Sequence, residues 1–274
     1  MHYLEHFKLK EQPFKGGPNP RFLLMTDQHQ DALYKCKLTI EERSGLVAVC
    51  GEIGMGKSSI ARMLINEVEA DNCRVGILLN PSLMTEKAFL KEIMAAFEQK
   101  SLRSYNDSLN VFQDFMIESH EKGNNLVLII DEAQRLTRKM LMVLHALHNF
   151  ESDEDKYLQM VLVGQTELED KLIKIPEFAD RVAWISRLKP LTQAETEDLI
   201  AFRWHAASGA KSSHPFTPEA LDMIYVLSRG RPRKINKLCH ASLYTAYLDE
   251  AKEVSALAVE DAAKDLLNGL KEEQ

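Results

Sequence analysis

The chain has 274 residues, of which 45% are hydrophobic and 27% charged, and its formal net charge is -7. This composition is typical of a globular protein with material for one large domain or two smaller ones. The acidic balance excludes a protein coated with basic residues for nucleic acid, but it is compatible with a local basic patch. The N-terminus shows no signal-peptide pattern, and no apolar run approaches the roughly 20 residues of a membrane span. The sequence therefore predicts a cytoplasmic protein.

The cysteines are Cys36, Cys50, Cys73 and Cys239. They form no C-x-x-C pair, and no histidine stands at zinc-ligand spacing from them. This pattern predicts reduced, mostly buried thiols, rather than a disulfide framework or a zinc site.

The predicted elements alternate between strands and helices up to about residue 189. Residues 1–25 are rich in proline and glycine and are expected to be irregular, and a helix is expected from Gln28 to Arg43. Five apolar runs of strand length follow, at 46–50, 74–79, 126–130, 159–164 and 181–188. Because the runs are continuous and the stretches between them carry helical apolar stripes, they predict a parallel sheet buried on both faces by helices.

After Pro190 the pattern predicts helices only, at about 192–207, 217–228, 231–248 and 256–270, with cap-like openings at Thr192 and Thr217. The fold class is therefore α/β, a parallel sheet between helices followed by an all-helical domain. The expected boundaries are an N-terminal segment at 1–27, the α/β core at 28–189 and the helical domain at 190–274.

The stretch GEIGMGKS follows the first strand and fits the pattern G-x-x-x-x-G-K-[ST] in full. Its glycines let backbone N–H groups converge on phosphate oxygens, and the next helix directs its positive end to the same place. Lys57 is expected to reach the β and γ phosphates, and the Ser58 hydroxyl to ligate Mg²⁺. The alternative is a glycine-rich turn without a ligand, which the strand–loop–helix context disfavours. The predicted nucleotide-binding residues are Gly51, Glu52, Ile53, Gly54, Met55, Gly56, Lys57, Ser58 and Ser59.

Two adjacent acids follow the strand at 126–130. The carboxyl ends of parallel strands form the ligand crevice of such sheets. Asp131 is therefore expected to hold Mg²⁺ through water, and Glu132 to orient and deprotonate the attacking water. The alternative is a strand end capped by solvated acids. A glutamate at this position favours hydrolysis over storage of the nucleotide.

Gln165 follows the strand at 159–164. We expect its side chain to contact the γ-phosphate or the nucleophilic water, because that strand end lies beside Asp131 in the predicted sheet. The alternative is a plain strand-to-helix turn with Thr166 as the N-cap.

Three arginines are candidates for phosphate contacts. Arg233, in the first turn of a predicted helix, would face the γ-phosphate from the helical domain, or else belongs to a solvated basic face. Arg181 would reach the nucleotide of a neighbouring subunit as an arginine finger, with Arg187 as a weaker candidate. The alternative for Arg181 is a local salt bridge with Glu177 or Asp180.

Together these elements resemble the AAA+ ATPases, with Walker A, Walker B, sensor 1, an arginine finger and a sensor 2 arginine in a helical lid. The stretches YLEHFKLKEQPFKGGPNPRFL, LIIDEAQRL, LVGQTEL and GRPRKINKLCHASL are similar to the ExeA/GspA group. The resemblance covers nearly all of residues 1–270, and it implies ATP and Mg²⁺ as cofactors. It also implies that the N-terminal stretch wraps the adenine, with Phe14, Pro20, Phe22 and His29 as contributors, although KGGPNP replaces the group's usual Ser/Thr-Pro stretch.

The resemblance leaves several functions open. Secretion members of the group continue into a membrane span and a peptidoglycan-binding part, which this sequence lacks, so it looks more like MuB/TnsC/TniB-type ATPases. These relatives form rings or filaments on duplex DNA and direct a transposase, which makes homo-oligomers, duplex DNA and a transposase the expected partners. The basic loop Arg135, Arg138 and Lys139 would contact DNA phosphates, or is an ordinary solvated helix start. The alternatives are a secretion or pilus-assembly ATPase with a separate membrane partner, and a slow nucleotide-gated switch.

Overall fold

The computed structural model describes residues 2–17, 19–68, 72–82, 84–209 and 213–268. The chain divides into two compact units. The sheet unit comprises Asp27–Ile53 and Lys57–Leu188. The helical unit comprises Met1–Thr26, Gly54–Gly56 and Lys189–Gln274.

The sheet unit contains five parallel strands in the order β2-β3-β4-β1-β5. They are β1 (Leu46–Gly51), β2 (Cys73–Leu78), β3 (Asn125–Ile130), β4 (Leu158–Gly164) and β5 (Val182–Leu188). The order places β4 between β1 and β3. The carboxyl ends of these three strands, at Gly51, Asp131 and Gln165, therefore lie at the same edge of the sheet. The predicted parallel sheet is confirmed.

Burial differs between the centre and the edges of the sheet. Every residue of β1, β3 and β4 is buried. The prediction of burial on both faces is wrong for β2 and β5, which are the edge strands and are partly exposed. Trp184 of β5, for example, is 43% exposed. An edge strand lacks a neighbour on one side, and the helices do not cover it fully.

The helices for which the sequence predicted bounds, at 28–43 and after Pro190, begin and end close to those positions. Those of the sheet unit are α2 (Asp27–Glu41), α3 (Lys57–Val68), α4 (Glu86–Ala96), α5 (Tyr105–Glu121), α6 (Arg138–His148), α7 (Thr166–Ile173) and α8 (Pro176–Ala179). Those of the helical unit are α1 (His2–His6), α9 (Gln193–Ser208), α10 (Pro218–Ser228), α11 (Pro232–Leu248) and α12 (Ala256–Asn268). Residues 269 and 270, which the last predicted helix included, lie outside the described part.

The helical unit contains more structure at its N-terminus than the sequence suggested. The expectation that residues 1–25 are irregular is wrong for α1 and for a 3-10 turn at Pro20–Phe22. Both are too short to show apolar periodicity. The α1 segment is held by its packing, since His6 Nε2 lies 2.7 Å from the carbonyl oxygen of Ala251, and Tyr3 stacks edge-to-face on His240.

The caps predicted for two helices of this unit are confirmed. Thr192 caps α9 in a capping box with Glu195, and Thr217 accepts a hydrogen bond from the Ala220 N–H at the start of α10. Each cap satisfies backbone donors of the first helical turn that have no partner within the helix.

No disulfide joins cysteines among the described residues, and Cys36, Cys50 and Cys239 are buried while Cys73 is partly exposed. Burial raises the pKa of Cys36 to about 12 and that of Cys50 to about 11, which makes both unreactive. The prediction of mostly buried thiols is confirmed. Within the described ranges, no helix is both long and apolar enough to cross a membrane. The cytoplasmic location stays a prediction.

Candidate nucleotide-binding site

The loop that connects β1 to α3 has a conformation that requires glycine at several positions. Gly54 and Gly56 have φ angles of 85° and 91°, in the left-handed region that other residues adopt at a cost. At Gly51 the limit is space, because an added Cβ would lie 2.8 Å from the Leu188 carbonyl oxygen. The glycine spacing of the motif is thus explained by the backbone itself.

Lys57 begins α3 and is buried, with 8% of its surface exposed. Its ammonium donates hydrogen bonds to the carbonyl oxygens of Gly51 at 2.8 Å and Glu52 at 2.7 Å. Burial lowers the pKa of Lys57, while the nearby charges of Glu132 and Asp131 act in the opposite direction. A buried cation at the N-terminus of a 12-residue helix is suited to an anion such as phosphate.

Ser58 and Asp131 are in direct contact, although 73 residues separate them in sequence. The Ser58 hydroxyl donates a hydrogen bond of 2.8 Å to Asp131 Oδ2. The contact joins the start of α3 to the end of β3. It also places a hydroxyl and a carboxylate together, which are oxygen donors of the kind that Mg²⁺ prefers.

Glu132 has an unusual backbone, with φ 54° and ψ 34° in the left-handed region. Its N–H donates a hydrogen bond of 2.8 Å to Asp131 Oδ1. Such a conformation costs about 1 kcal/mol or more for a residue with a side chain, and strain of this kind is frequent at functional sites. The turn directs the chain away from β3 within one residue.

Gln134 is a residue of this site that sequence reasoning missed. Its side-chain amide donates a hydrogen bond of 2.6 Å to Glu132 Oε2, and its Oε1 accepts one of 3.0 Å from the Gln165 N–H. It therefore connects the end of β3 to the end of β4. The only signal in the sequence was a polar residue two positions after Glu132, which by itself does not distinguish this role from exposure to solvent.

Gln165 lies directly after β4, the neighbour of β3, where the sequence placed it. It is the N-cap residue of α7, so the alternative in which Thr166 is the cap is wrong. The following helix is tied to the same region, because the Lys171 ammonium donates to the carbonyl oxygens of Gln134 and Leu136. The contact of the Gln165 side chain with phosphate or water stays a prediction.

Both finger candidates have partners inside the chain. Arg181 donates a hydrogen bond to Asn149 Oδ1. Arg187, on β5, forms a forked ion pair with Glu169, with Nε 2.9 Å and 2.7 Å from the two carboxylate oxygens. This pairing raises the pKa of Arg187. The side chain of Glu177, one of the predicted alternatives for Arg181, lies outside the described part.

Arg233 is the second residue of α11 and belongs to the helical unit. Gly54, which clusters with the same unit, lies against it. A Cβ built on Gly54 would lie 2.6 Å from Arg233 Cβ. Arg233 therefore lies against Gly54, within the helical unit, and its role as a sensor stays a prediction.

The aromatic residues that were expected to contact the adenine base are buried, each within the unit to which it belongs. In the helical unit, the Phe14 ring lies 5.9 Å from the Phe216 ring, and Phe22 lies under the Arg203 guanidinium at 5.1 Å. His29 lies in α2 of the sheet unit and is 4% exposed. The side chain of Pro20 lies outside the described part. A contact with the base stays a prediction for all of them.

Residues 40–172 match the family model of an AAA domain. General secretion pathway protein A of Aeromonas hydrophila is 33% identical over 249 residues, which are 89% of this chain and 45% of that protein. The chain thus spans less than half of that relative's length.

Two solved structures show the same fold. The Aeropyrum pernix ORC2 protein, solved as ADPNP–ADP complexes, has a TM-score of 0.66 at 14% identity, covering 93% of this chain and 72% of that chain. Drosophila ORC bound to DNA has a TM-score of 0.68 at 15% identity, covering 97% and 66%.

Proposed function

Because the chain belongs to the AAA+ ATPases of the ExeA group, we propose that it binds ATP in the loop of residues 51–59 and hydrolyses it with Mg²⁺. The observation that carries this proposal is the 2.8 Å hydrogen bond from Ser58 to Asp131, next to the buried ammonium of Lys57. It joins a phosphate-binding loop to the strand end that bears the acids. Hydrolysis requires the phosphate-binding loop and the acidic side chains at one place.

Ser58 and Asp131 are the proposed Mg²⁺ ligands, Asp131 through water. Their hydroxyl and carboxylate oxygens lie together and are the oxygen donors that Mg²⁺ prefers, so these residues fit the ion. Bound Mg²⁺ would neutralise charge that develops on the phosphates. No cluster of three or more His, Cys, Asp or Glu side chains offers a competing metal site in the described ranges.

We assign the proton transfer to Glu132, which would accept a proton from the attacking water. Lys57 would hold the β and γ phosphates, and Gln165 would orient the water or the γ-phosphate. Arg233 would report the γ-phosphate to α11, since it already contacts Gly54. Each assignment places charge or a hydrogen bond where the transition state needs it.

We further propose that residues 13–22 meet the adenine, as in the group that the chain belongs to. Phe14 and Phe22 would act mainly through the shape of this loop, because their rings are 2% and 4% exposed and pack within the helical unit. His29 would contribute from α2. The base would then be held by a segment that packs with the C-terminal helices.

The test is steady-state ATP hydrolysis together with nucleotide titration. Lys57→Ala should weaken ATP binding about 100-fold or more, since it removes the principal phosphate charge. Glu132→Gln should keep ATP affinity and reduce turnover about 100-fold, in the range of general base catalysis. The exposed Lys91→Ala and Glu121→Gln are matched controls that remove the same charges from α4 and α5. Wild-type turnover in Glu132→Gln would refute the assignment of the base.

For the coupled process we propose a DNA-associated regulator of transposition that assembles into homo-oligomers when ATP is bound. The supporting observation is that Arg135, Arg138 and Lys139 are all exposed around the start of α6, on one short segment after the acids. An AAA+ relative in fold, Drosophila ORC, is bound to DNA. Contacts to phosphates by this segment, repeated in each subunit, would bind duplex DNA without reading its sequence.

A second candidate is a secretion or pilus-assembly ATPase that works with a separate membrane partner. The observation in its favour is the 33% identity to general secretion pathway protein A. Crosslinking in cells distinguishes the two, because this candidate requires an inner-membrane protein among the products and the first requires a transposase.

Hydrolysis with and without duplex DNA, at low and moderate salt, tests the DNA proposal. We expect stimulation by DNA that falls with salt, and its loss when Arg135, Arg138 and Lys139 are changed to alanine together. Lys91, Lys100 and Arg103 are exposed in the same unit, and their triple alanine variant removes the same charge as a control. A rate that DNA does not change, or equal loss in both triple variants, would contradict the proposal.

A further inference from the structure

Arg203 is a buried cation that the proposed function does not use. It lies on α9 of the helical unit and is 7% exposed. Its guanidinium donates to three backbone carbonyl oxygens, with Nε 2.8 Å from that of Pro13, Nη1 3.0 Å from that of Phe22 and Nη2 3.1 Å from that of Lys15. Burial lowers the pKa of Arg203 to about 10. Burying such a charge is costly unless it is hydrogen-bonded, so these three carbonyl groups are needed to hold Arg203 in place.

The three carbonyl groups belong to the two ends of one loop. Pro13 and Lys15 lie where the chain enters the loop, and Phe22 lies where it returns. The Phe22 ring also packs under the guanidinium, with its centre 5.1 Å from the Arg203 carbon Cζ. A planar group with donors in a fixed fork can hold all three carbonyl groups at once, which an ammonium cannot do with the same geometry.

At Gly16 and Gly17 the loop has no packing that fixes its shape. Gly16 and Gly17 are exposed, and a Cβ built on either would meet no atom within 4 Å. Glycine has the largest backbone freedom of all residues, so packing does not restrict this part of the chain. Besides Arg203, the segment is tied to α9 by the Lys10 N–H, which donates to the Ala207 carbonyl oxygen at 3.1 Å, before the loop begins.

We infer that Arg203 is a specificity-determining positioning residue, which closes the loop of residues 13–22 around the adenine and fixes it to α9. This inference rests on the proposed role of that loop in base binding. Selection of the base would then depend on a residue that lies outside the loop and outside its motif. The phosphates are held by residues 51–58, so loss of the clamp should affect the base and spare the triphosphate.

Binding of ATP and of GTP to the full chain with Mg²⁺, measured by calorimetry, tests the inference, since the two ligands differ only in the base. Wild-type protein should prefer ATP by about tenfold or more, because a site that hydrogen-bonds one base leaves groups unpaired with the other. Arg203→Lys keeps the charge but not the fork, and should bring the two affinities within about threefold by weakening ATP. Arg203→Gln is the second variant, and the exposed Arg229→Lys is the control.

Amide hydrogen exchange separates this role from a general loss of structure. Arg203→Lys should increase exchange in residues 13–22 and leave residues 51–58 and α11 as in wild type. The inference is overturned if the ATP preference survives in both variants, if both affinities fall equally, if wild type has no preference, or if neither variant folds. Failure of the proposed function would give a different result. Wild-type protein would then bind neither ATP nor GTP, or its binding of both would be unaffected by Lys57→Ala.

Discussion

Gln134 holds the carboxylate of Glu132 through a hydrogen bond of 2.6 Å. The other end of the same amide accepts a hydrogen bond of 3.0 Å from the Gln165 N–H. A carboxylate can only accept and an N–H can only donate, so the amide has one orientation that satisfies both partners. The position of Glu132 is therefore set by the end of the neighbouring strand β4.

The first prediction concerns this link. Gln134→Leu keeps the size of the side chain and removes both hydrogen bonds, so the carboxylate should lose its fixed position. We expect kcat to fall about tenfold or more with KM nearly unchanged, because misplacement of a catalytic group is costly while the proposed nucleotide loop, residues 51–59, is unchanged. Steady-state kinetics measure both parameters.

A companion variant is Gln165→Ala, which removes the proposed sensor side chain but keeps the main-chain N–H that donates to Gln134 Oε1. If Gln165 acts as a sensor, this variant also loses turnover, and combining the two changes tells whether their effects add. Wild-type kcat in Gln134→Leu would show that Glu132 does not need the link.

The sequence predicted the strands and the nucleotide loop because these signals are local. Five continuous apolar runs became five strands, and the loop motif before Lys57 lay between β1 and α3 as expected. Exposure of the edge strands was not predictable, since it depends on the order β2-β3-β4-β1-β5, which local patterns do not contain. The helix α1 was missed because five residues are too few to show a period.

The residues missed at the site share a different cause. Gln134 and Arg203 form hydrogen bonds with main-chain groups that are distant in sequence, at Gln165 in one case and at Pro13, Lys15 and Phe22 in the other. A carbonyl or N–H is present at nearly every residue, so it leaves no mark in the sequence. Motifs reveal side chains that meet a ligand, but they do not reveal side chains that position the backbone.

The second prediction concerns the metal. Asp131→Asn keeps the shape of the side chain and replaces the charged oxygen that accepts from Ser58 with a neutral one. We expect the Mg²⁺ concentration for half-maximal hydrolysis to rise about tenfold, because Mg²⁺ prefers charged oxygen ligands. Titration of Mg²⁺ at saturating ATP measures this. The exposed Asp222→Asn is a control in the helical unit, and an unchanged Mg²⁺ dependence in Asp131→Asn would refute the assignment.

The third prediction tests the arginine finger. Arg181→Ala should lower hydrolysis per subunit at concentrations where oligomers form, and should have no effect on dilute monomers, since a finger acts on the neighbouring subunit. Turnover measured against protein concentration shows the difference. Asn149→Ala is the control, because it removes the partner that holds Arg181 within the chain and leaves the arginine itself.

Arg187→Ala tests the other candidate by the same measurement. Arg187 is already engaged in a forked pair with Glu169, and a finger role would require that pair to open. We therefore expect Arg187→Ala to lower hydrolysis less than Arg181→Ala does. A larger loss with Arg187→Ala than with Arg181→Ala would reverse the assignment.

The fourth prediction is a pH dependence that originates at His148, the last residue of α6. This histidine is 4% exposed, and neither of its ring nitrogens has a hydrogen-bond partner among the described residues. Burial, together with the charges of Lys156, Arg181 and His145, lowers its pKa from 6.5 to about 4. The unfolded chain therefore binds a proton at this residue more readily than the folded chain does.

The sign follows from this difference in proton binding. Well above pH 6.5 the histidine is neutral in both states, so its titration does not change the free energy of unfolding. As pH falls below 6.5, the unfolded state gains a proton that the folded state does not accept until about pH 4. The free energy of unfolding should therefore decrease by about 3 kcal/mol from this residue between pH 7 and pH 4. His148→Leu removes the group, so chemical denaturation at several pH values should give a flatter profile for the variant than for wild type. Parallel profiles for the two proteins would contradict this prediction, since all other titrating groups cancel in the comparison.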